Sequence, residues 1–261
     1  MSGSTPTVLV HRDPDELAAA VAARLVTRLV DVQSARGEAS LVLTGGSIAR
    51  RIYEALAASP ARGAVDWWRL DVWWGDERFL PSGDPERNET LAREALLDQV
   101  PLDPARVHVM APSDGPDGDD VDAAAERYVA ELAAAARPED HGPVPTFDVF
   151  LVGVGPDGHI NSLFPEHPAL YDDRPAFAVR NSPKPPPTRI SLSLGTTQAA
   201  REVWAVVAGE DKAHAVTMAL SGTGEHQVPA AGARGRERTL WLLDRGAASH
   251  LPPGLDRIAS P

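Results

Sequence analysis

The chain contains no cysteine, which excludes a disulfide framework, a thiolate nucleophile and a thiolate metal ligand. That absence fits a reducing compartment, and the expected location is the cytoplasm. Long apolar runs are missing too. The stretch MSGSTPTVLVHRD has no apolar run long enough for a signal peptide, and nothing resembles a spanning helix, so no membrane partner is expected. Positive charge is scarce: 25 Lys and Arg stand against 37 Asp and Glu, a formal net charge of -12. A chain of that sign lacks the basic face that nucleic acid requires. Its overall field also repels anionic metabolites, so an anionic ligand needs local cations and backbone amides to hold it. No internal repeat and no clear domain boundary interrupt the 261 residues, and the expectation is a single domain over 1–261.

What is present is alternation. A short strand TVLVH leads to Asp13-Pro14-Asp15-Glu16, a helix start with Asp13 as cap and Glu16 completing a capping box. Leu17, Val21, Leu25, Leu29 and Val32 follow at helical spacing until Gly37. Then come the strand SLVLT, a tight GGS turn, and a helix carrying Ile48, Ile52 and Leu56. LDVWW reads as a strand, GDERFLPSGDPER as a long loop, NETLAREALLDQV as a helix capped by Asn88, and RVHVM as a further strand. The acidic stretch 113–120 reads as an exposed loop, followed by an alanine-rich helix and a linker into FDVFLVG. Later strands are AFAVR, RISLSL, VWAVVAG and TLWLLD, with the helix DKAHAVTMAL between the last two. Such alternation of nearly continuous apolar strands with helices predicts an α/β fold: an open, mostly parallel, Rossmann-like sheet covered on both faces. Residues 110–146 are a candidate smaller lobe, and the termini are expected to be loose.

One motif poses a question. Gly153-x-Gly155-x-x-Gly158 directly follows an apolar run, as in dinucleotide-binding proteins. That fingerprint needs a helix opening at the third glycine, yet Pro165 and Pro168 leave little room for one. Asp172 and Asp173 precede a strand, whereas the ribose-binding acid belongs at a strand's end. No dinucleotide, and no other cofactor, is therefore expected. The loop does carry Asp157 and His159 at a strand's end, where open parallel sheets bind ligands. Histidine suits proton transfer near neutral pH, and Asp157, two residues away, can orient it. The plainer alternative is that the ring of His159 caps a turn.

Two further stretches matter. Thr44-Gly45-Gly46-Ser47 joins a strand to a helix, so its amides and hydroxyls can hold a phosphate. It lacks the Gly-Lys-Ser/Thr ending of a nucleotide loop, which points to a monophosphate; Ser47 can equally cap the helix. In WWGDERFLP, Asp76, Glu77 and Arg78 follow directly on a strand, a usual place for a functional loop.

Taken together, TGGS, WWGDERFLP with a downstream Asn88, GVGPDGHINSLFPEH, RISLSL and VVAGEDKAHAV resemble the 6-phosphogluconolactonases. The last two blocks also look like the related glucosamine-6-phosphate deaminases. The resemblance implies hydrolysis of 6-phospho-D-glucono-1,5-lactone, a sugar phosphate. No metal is expected, because Pro165 and Pro168 disrupt any helical ligand spacing of Asp157, His159 and His167, and a monomer is expected. It places the family histidine at His159, its aspartate at Asp157, and the GDER pair at Asp76 and Arg78. It places phosphate at Thr44, Gly45, Gly46, Ser47, Arg189 and Lys212. Which aspartate serves His159 and which serves Arg78 stays open. Ile160 and Asn161 depart from the usual DGHTASLFP, and Gly195 stands where proline is common. A deaminase would resemble DEY in place of DERF and FNEP in place of SLFP, and neither is present. A sugar-responsive transcription regulator would need a helix-turn-helix and a basic face, and neither is expected here.

Overall fold

A computed structural model describes residues 5–140, 142–254 and the backbone of 257–258. The expected loose termini lie largely outside these described residues. Its first half comprises β1 (Thr7–His11), α1 (Pro14–Arg36), β2 (Ala39–Leu43), α2 (Ser47–Ala58), β3 (Leu70–Trp74), β4 (Asp76–Arg78), α3 (Asn88–Ala95) and α4 (Val121–Ala135). The second half adds β5 (Val149–Gly153), β6 (Ala176–Val179), β7 (Arg189–Leu192), α5 (Leu194–Gln198), β8 (Glu202–Val207), α6 (Ala213–Leu220), β9 (Arg238–Asp244) and β10 (Arg257–Ile258). Seven strands form a parallel sheet in the order β10-β1-β9-β8-β5-β2-β3. No described helix is long and apolar enough to cross a membrane.

Successive side chains of a strand point to opposite faces, and each face of this sheet has its own core. Leu41, Leu43, Val72, Trp74, Val149, Leu151, Trp204 and Val206 pack with the apolar faces of α1, α2 and α3. Their sequence neighbours Val42, Trp73, Phe150, Val152, Val203 and Ala205 face the other way, toward α4, α6 and a second sheet. This double burial is why the strands read as unbroken apolar runs. Helix α1 starts as expected: the Asp13 side chain accepts the Glu16 N–H at 2.8 Å, and Gly37 ends the helix in a left-handed conformation. The Glu16 carboxylate, however, pairs with Arg12 instead of closing a capping box.

The second sheet departs from expectation. GDER does not begin a long loop; Asp76–Arg78 is strand β4, antiparallel to β7, which also pairs antiparallel with β6. A three-residue strand such as β4 carries too few alternations to be told from a loop by pattern. RVHVM makes only an isolated bridge, Val107 to Val72, and the helix expected over NETLAREALLDQV ends at Ala95. Residues 110–146 share a core with the sheets: Tyr128 and Leu132 of α4 pack with Phe147, Phe177 and Ile190. Within 113–120, Asp117 pairs with Arg127 and Asp114 accepts from Ser82.

After β3 the chain crosses back over β2 to β5, so the strand order reverses between β2 and β5. In open parallel sheets a crevice opens outside the carboxyl ends of the strands at such a point. The loops after β2 and β5 are Thr44–Gly46 and Val154–His159, and they meet there: Gly153 N donates to Thr44 Oγ1 at 3.2 Å.

Candidate active site

A cavity of about 200 Å³ lies at this switch point, and all but one of the residues expected in the site line it. Thr44, Gly45, Gly46 and Ser47 form one wall, Asp76, Arg78, Asn88 and Arg189 a second, His159 and Lys212 the others. Asp157 stands behind His159, outside the lining.

The TGGS wall is built by a clamp. Tyr53, fully buried on α2, accepts the Thr44 N–H at 3.0 Å and donates to the Thr44 carbonyl at 2.7 Å. This fixes the end of β2 just before the helix. Ser47 does not cap α2: the cap position is Gly46, and no side chain accepts the first N–H groups. The helix therefore presents unsatisfied donors and its positive dipole end beside the cavity. Gly45 is required for space, because a Cβ there would overlap the Asn88 carboxamide.

Of the three glycines of GVGPDGH, Gly155 lies against the histidine, whereas Gly153 faces Thr44 and Gly158, at φ 84°, faces Val228. No helix opens at Gly158; the chain makes a turn, an isolated Ile160–Leu163 bridge, and a single 3-10 turn at Pro168–Tyr171. Gly155 N donates to the His159 carbonyl at 3.0 Å, which closes the turn, and a Cβ on Gly155 would collide with the imidazole. The ring lies 4.6 Å from that of Phe164. Its Nδ1 sits 2.6 Å from Asp157 Oδ1, while no described residue hydrogen-bonds Nε2. Asp157, not the ring, receives the turn's N–H, at 3.5 Å from His159 N. Burial works to raise the Asp157 carboxyl, but the His159 ring and the Lys184 ammonium outweigh it and hold it well below the usual carboxylate range.

The two aspartates are thereby told apart. Asp157 serves His159. Asp76 is buried and accepts from Ser162 Oγ at 2.7 Å and Asn88 Nδ2 at 3.2 Å, with Arg189 Nη1 at 3.9 Å. It does not bind Arg78, whose guanidinium donates to the Glu86 carbonyl. Asn88 is also not the cap of α3. Glu77 takes that part, its carboxylate accepting the N–H groups of Arg78 (2.8 Å), Asn88 (2.7 Å) and Glu89 (2.8 Å). Burial pushes the Glu77 carboxyl up to about 7, against the pull of Arg87, 3.7 Å away, and of those N–H groups.

Arg189 is only partly available to a ligand. Its Nε donates to the Pro186 carbonyl at 3.1 Å, and its Nη2 to those of Lys184 (3.1 Å) and Pro185 (3.2 Å). Only Nη1, 3.5 Å from Ser162 Oγ, is left toward the cavity. Lys212 holds its neighbour Asp211 at 2.8 Å, an exposed pair that a bound anion can compete for. Sequence reasoning passed over Ser162, Phe164 and Lys184. For the last a signal existed: the chain has two lysines, Lys184 and Lys212, and both stand beside the site. Among the described residues no three His, Asp or Glu side chains are grouped so as to hold a metal ion.

Comparison with known proteins identifies the family. The model of the glucosamine-6-phosphate isomerases/6-phosphogluconolactonase family matches residues 12–241. The 6-phosphogluconolactonase of Streptomyces coelicolor is 64% identical over 257 residues, 98% of each chain. That of Mycobacterium tuberculosis is 49% identical over 247 residues, 94% of this chain and 98% of its own. A solved structure of the 6-phosphogluconolactonase from Trypanosoma brucei superposes with a TM-score of 0.80 at 30% identity, covering 96% of this chain and 100% of that one. With the family model, these relatives and the fold in agreement, the chain belongs to the glucosamine-6-phosphate isomerase/6-phosphogluconolactonase family.

Proposed function

We propose that this chain is a lactone hydrolase that converts 6-phospho-D-glucono-1,5-lactone to 6-phospho-D-gluconate in the switch-point cavity. The observation that carries the reading is His159, with Nδ1 held by Asp157 at 2.6 Å and Nε2 uncommitted at a cavity lined by cations and a helix N-terminus.

The substrate phosphate binds the uncapped amides of α2, Thr44, Ser47, Lys212 and the Nη1 edge of Arg189. Charge-assisted bonds of this kind overcome the acidic field of the whole chain. This anchoring places C1 of the lactone beside His159. Because Nδ1 gives its proton to the Asp157 bond, Nε2 is the base. It takes a proton from water as the oxygen attacks C1. The tetrahedral oxyanion is met by Arg78, and its collapse breaks the bond from C1 to the ring oxygen. The imidazolium returns the proton to that oxygen, leaving a hydroxyl and a carboxylic acid that ionises to solvent. Asp76 keeps Asn88 and Ser162 in place on the opposite wall. The enzyme works as a monomer in the cytoplasm, with neither nucleic acid nor membrane as partner, and requires no cofactor.

The test is disappearance of the lactone above its spontaneous hydrolysis rate, with purified protein in chelator. Glucosamine 6-phosphate, assayed for ammonia, is the control substrate. Turnover of the second and not the first would overturn the proposal.

A further inference from the structure

Lys184 lies on the loop joining β6 to β7, and its backbone is pinned from both sides. Ser182 Oγ donates to the Lys184 carbonyl at 2.9 Å, and Arg189 Nη2 donates to the same oxygen at 3.1 Å. The side chain so delivered brings Nζ to 3.1 Å from Asp157 Oδ1 and 3.2 Å from His159 Nδ1. A carboxylate at 2.6 Å from Nδ1 requires a proton between them. An ammonium has no acceptor, so its approach to Nδ1 is a contact of charges and not a hydrogen bond. Asp157 alone favours a doubly protonated ring, which is no base. A positive charge at 3.2 Å opposes that second proton.

We propose that Lys184 is a positioning residue for the lactone hydrolysis, its ammonium offsetting the Asp157 charge so that His159 keeps one proton, on Nδ1, and a bare Nε2 toward the substrate. The inference rests on the hydrolase reading above. The other charged groups around the ring are Asp76 and Arg78 on β4, Arg189 on β7, and Lys212 with Asp211 before α6. Of these, Asp211 also feels the Lys184 charge. None is hydrogen-bonded to the imidazole, whereas Lys184 and Asp157 both touch Nδ1.

The experiment compares Lys184→Met and Lys184→Arg with the wild type across pH. In Lys184→Met the acid limb of kcat/KM should move to higher pH by about 1–2 units, the usual effect of one charge at this range. The alkaline plateau should change far less, and Lys184→Arg should restore the wild-type limb. A uniform loss at every pH, with the limb unmoved, would mean that Lys184 merely fastens its loop and would overturn the proposal. A second readout needs no turnover: ¹⁵N NMR titration of the imidazole whose signal vanishes in His159→Asn. Its midpoint should rise in Lys184→Met, and an unchanged midpoint overturns the proposal even if the lactone is hydrolysed. Should the midpoint rise while the wild type fails to hydrolyse the lactone, the charge coupling stands and the hydrolase reading alone is lost.

Discussion

Two histidines sit at opposite ends of the same sheet, each against carboxylates, and they differ in one respect. His108, near the amino ends of the strands, has both nitrogens engaged, Nδ1 with Glu131 at 2.7 Å and Nε2 with Asp71 at 3.2 Å. Its ring stacks on Trp73 at 3.7 Å. His159, at the carboxyl ends, has one nitrogen engaged and lines a cavity, with no described residue hydrogen-bonded to the other. The surroundings follow the same rule. The His108 end has the larger cavity, about 310 Å³, but the arginines around it are matched with acids: Arg36 and Arg201 with Asp148, Arg106 with Glu38 and Asp71, Arg137 with Glu38. Uncommitted donors and acceptors, more than volume, distinguish the end suited to chemistry.

The comparison is broken most directly by exchanging each histidine. His159→Asn should lower kcat by about 10²–10⁴-fold, the usual share of acid–base catalysis, with product affinity little changed. His108→Asn should leave kcat within about two-fold while losing stability, since it removes bonds to two carboxylates. Equal losses of kcat in both variants would erase the distinction. Each rate is read against a buffer blank at the same pH, because the lactone also opens unaided.

The phosphate wall should give the next largest effect. Lys212→Ala should raise KM by roughly 10- to 150-fold, the value of one charge-assisted contact of about 1.5–3 kcal/mol. Arg189→Ala should raise KM as well and also lower the thermal midpoint, because its guanidinium holds three loop carbonyls. Calorimetry separates the two variants: a midpoint unchanged in Arg189→Ala would make it a ligand contact alone.

Glu77 sharpens the contrast through pH. Its carboxyl titrates near 7 in the folded chain, against an ordinary value of 4.5. Between those values the folded state holds a proton that the unfolded chain has lost. Its contribution to stability is therefore full below about pH 4.5 and lost as pH rises through 7, a change on the order of 1–3 kcal/mol. Urea midpoints of wild type and Glu77→Gln at pH 5 and pH 8 should show the wild type losing ground at pH 8. The smallest effect is expected at the paired end. Arg137→Ala breaks a partly exposed ion pair with Glu38 and should cost less than about 1 kcal/mol with no change in KM.

Much of this arrangement was legible in the sequence, for physical reasons. Parallel strands buried on both faces write continuous apolar runs, so β2, β5, β8 and β9 were readable, as was the helix after TGGS. The site loops were visible because close approach demands glycine, as at Gly45 beside Asn88 and Gly155 beside His159. Strands β6 and β7 were readable in AFAVR and RISLSL, but β4 was not, since three residues show no period, and so their antiparallel pairing into a second sheet stayed hidden. Hidden too was the division of labour between Asp76 and Asp157, which depends on Ser162 and Asn88 arriving from distant segments. Lys184 stands in SPKPPP, where the rarity of lysine is a signal but no periodicity or motif says that the fold of its loop delivers it to His159.

The scarcity of lysine has a practical consequence. Reagents selective for side-chain amines have two targets in this chain, and both flank the cavity, with 38% and 26% of their side chains exposed for Lys184 and Lys212. Acylation cancels their charge, whereas reductive dimethylation keeps it. The pair of treatments thus titrates charge at the mouth of the site without altering any of the arginines, and product bound in the cavity should shield Lys212 from either reagent.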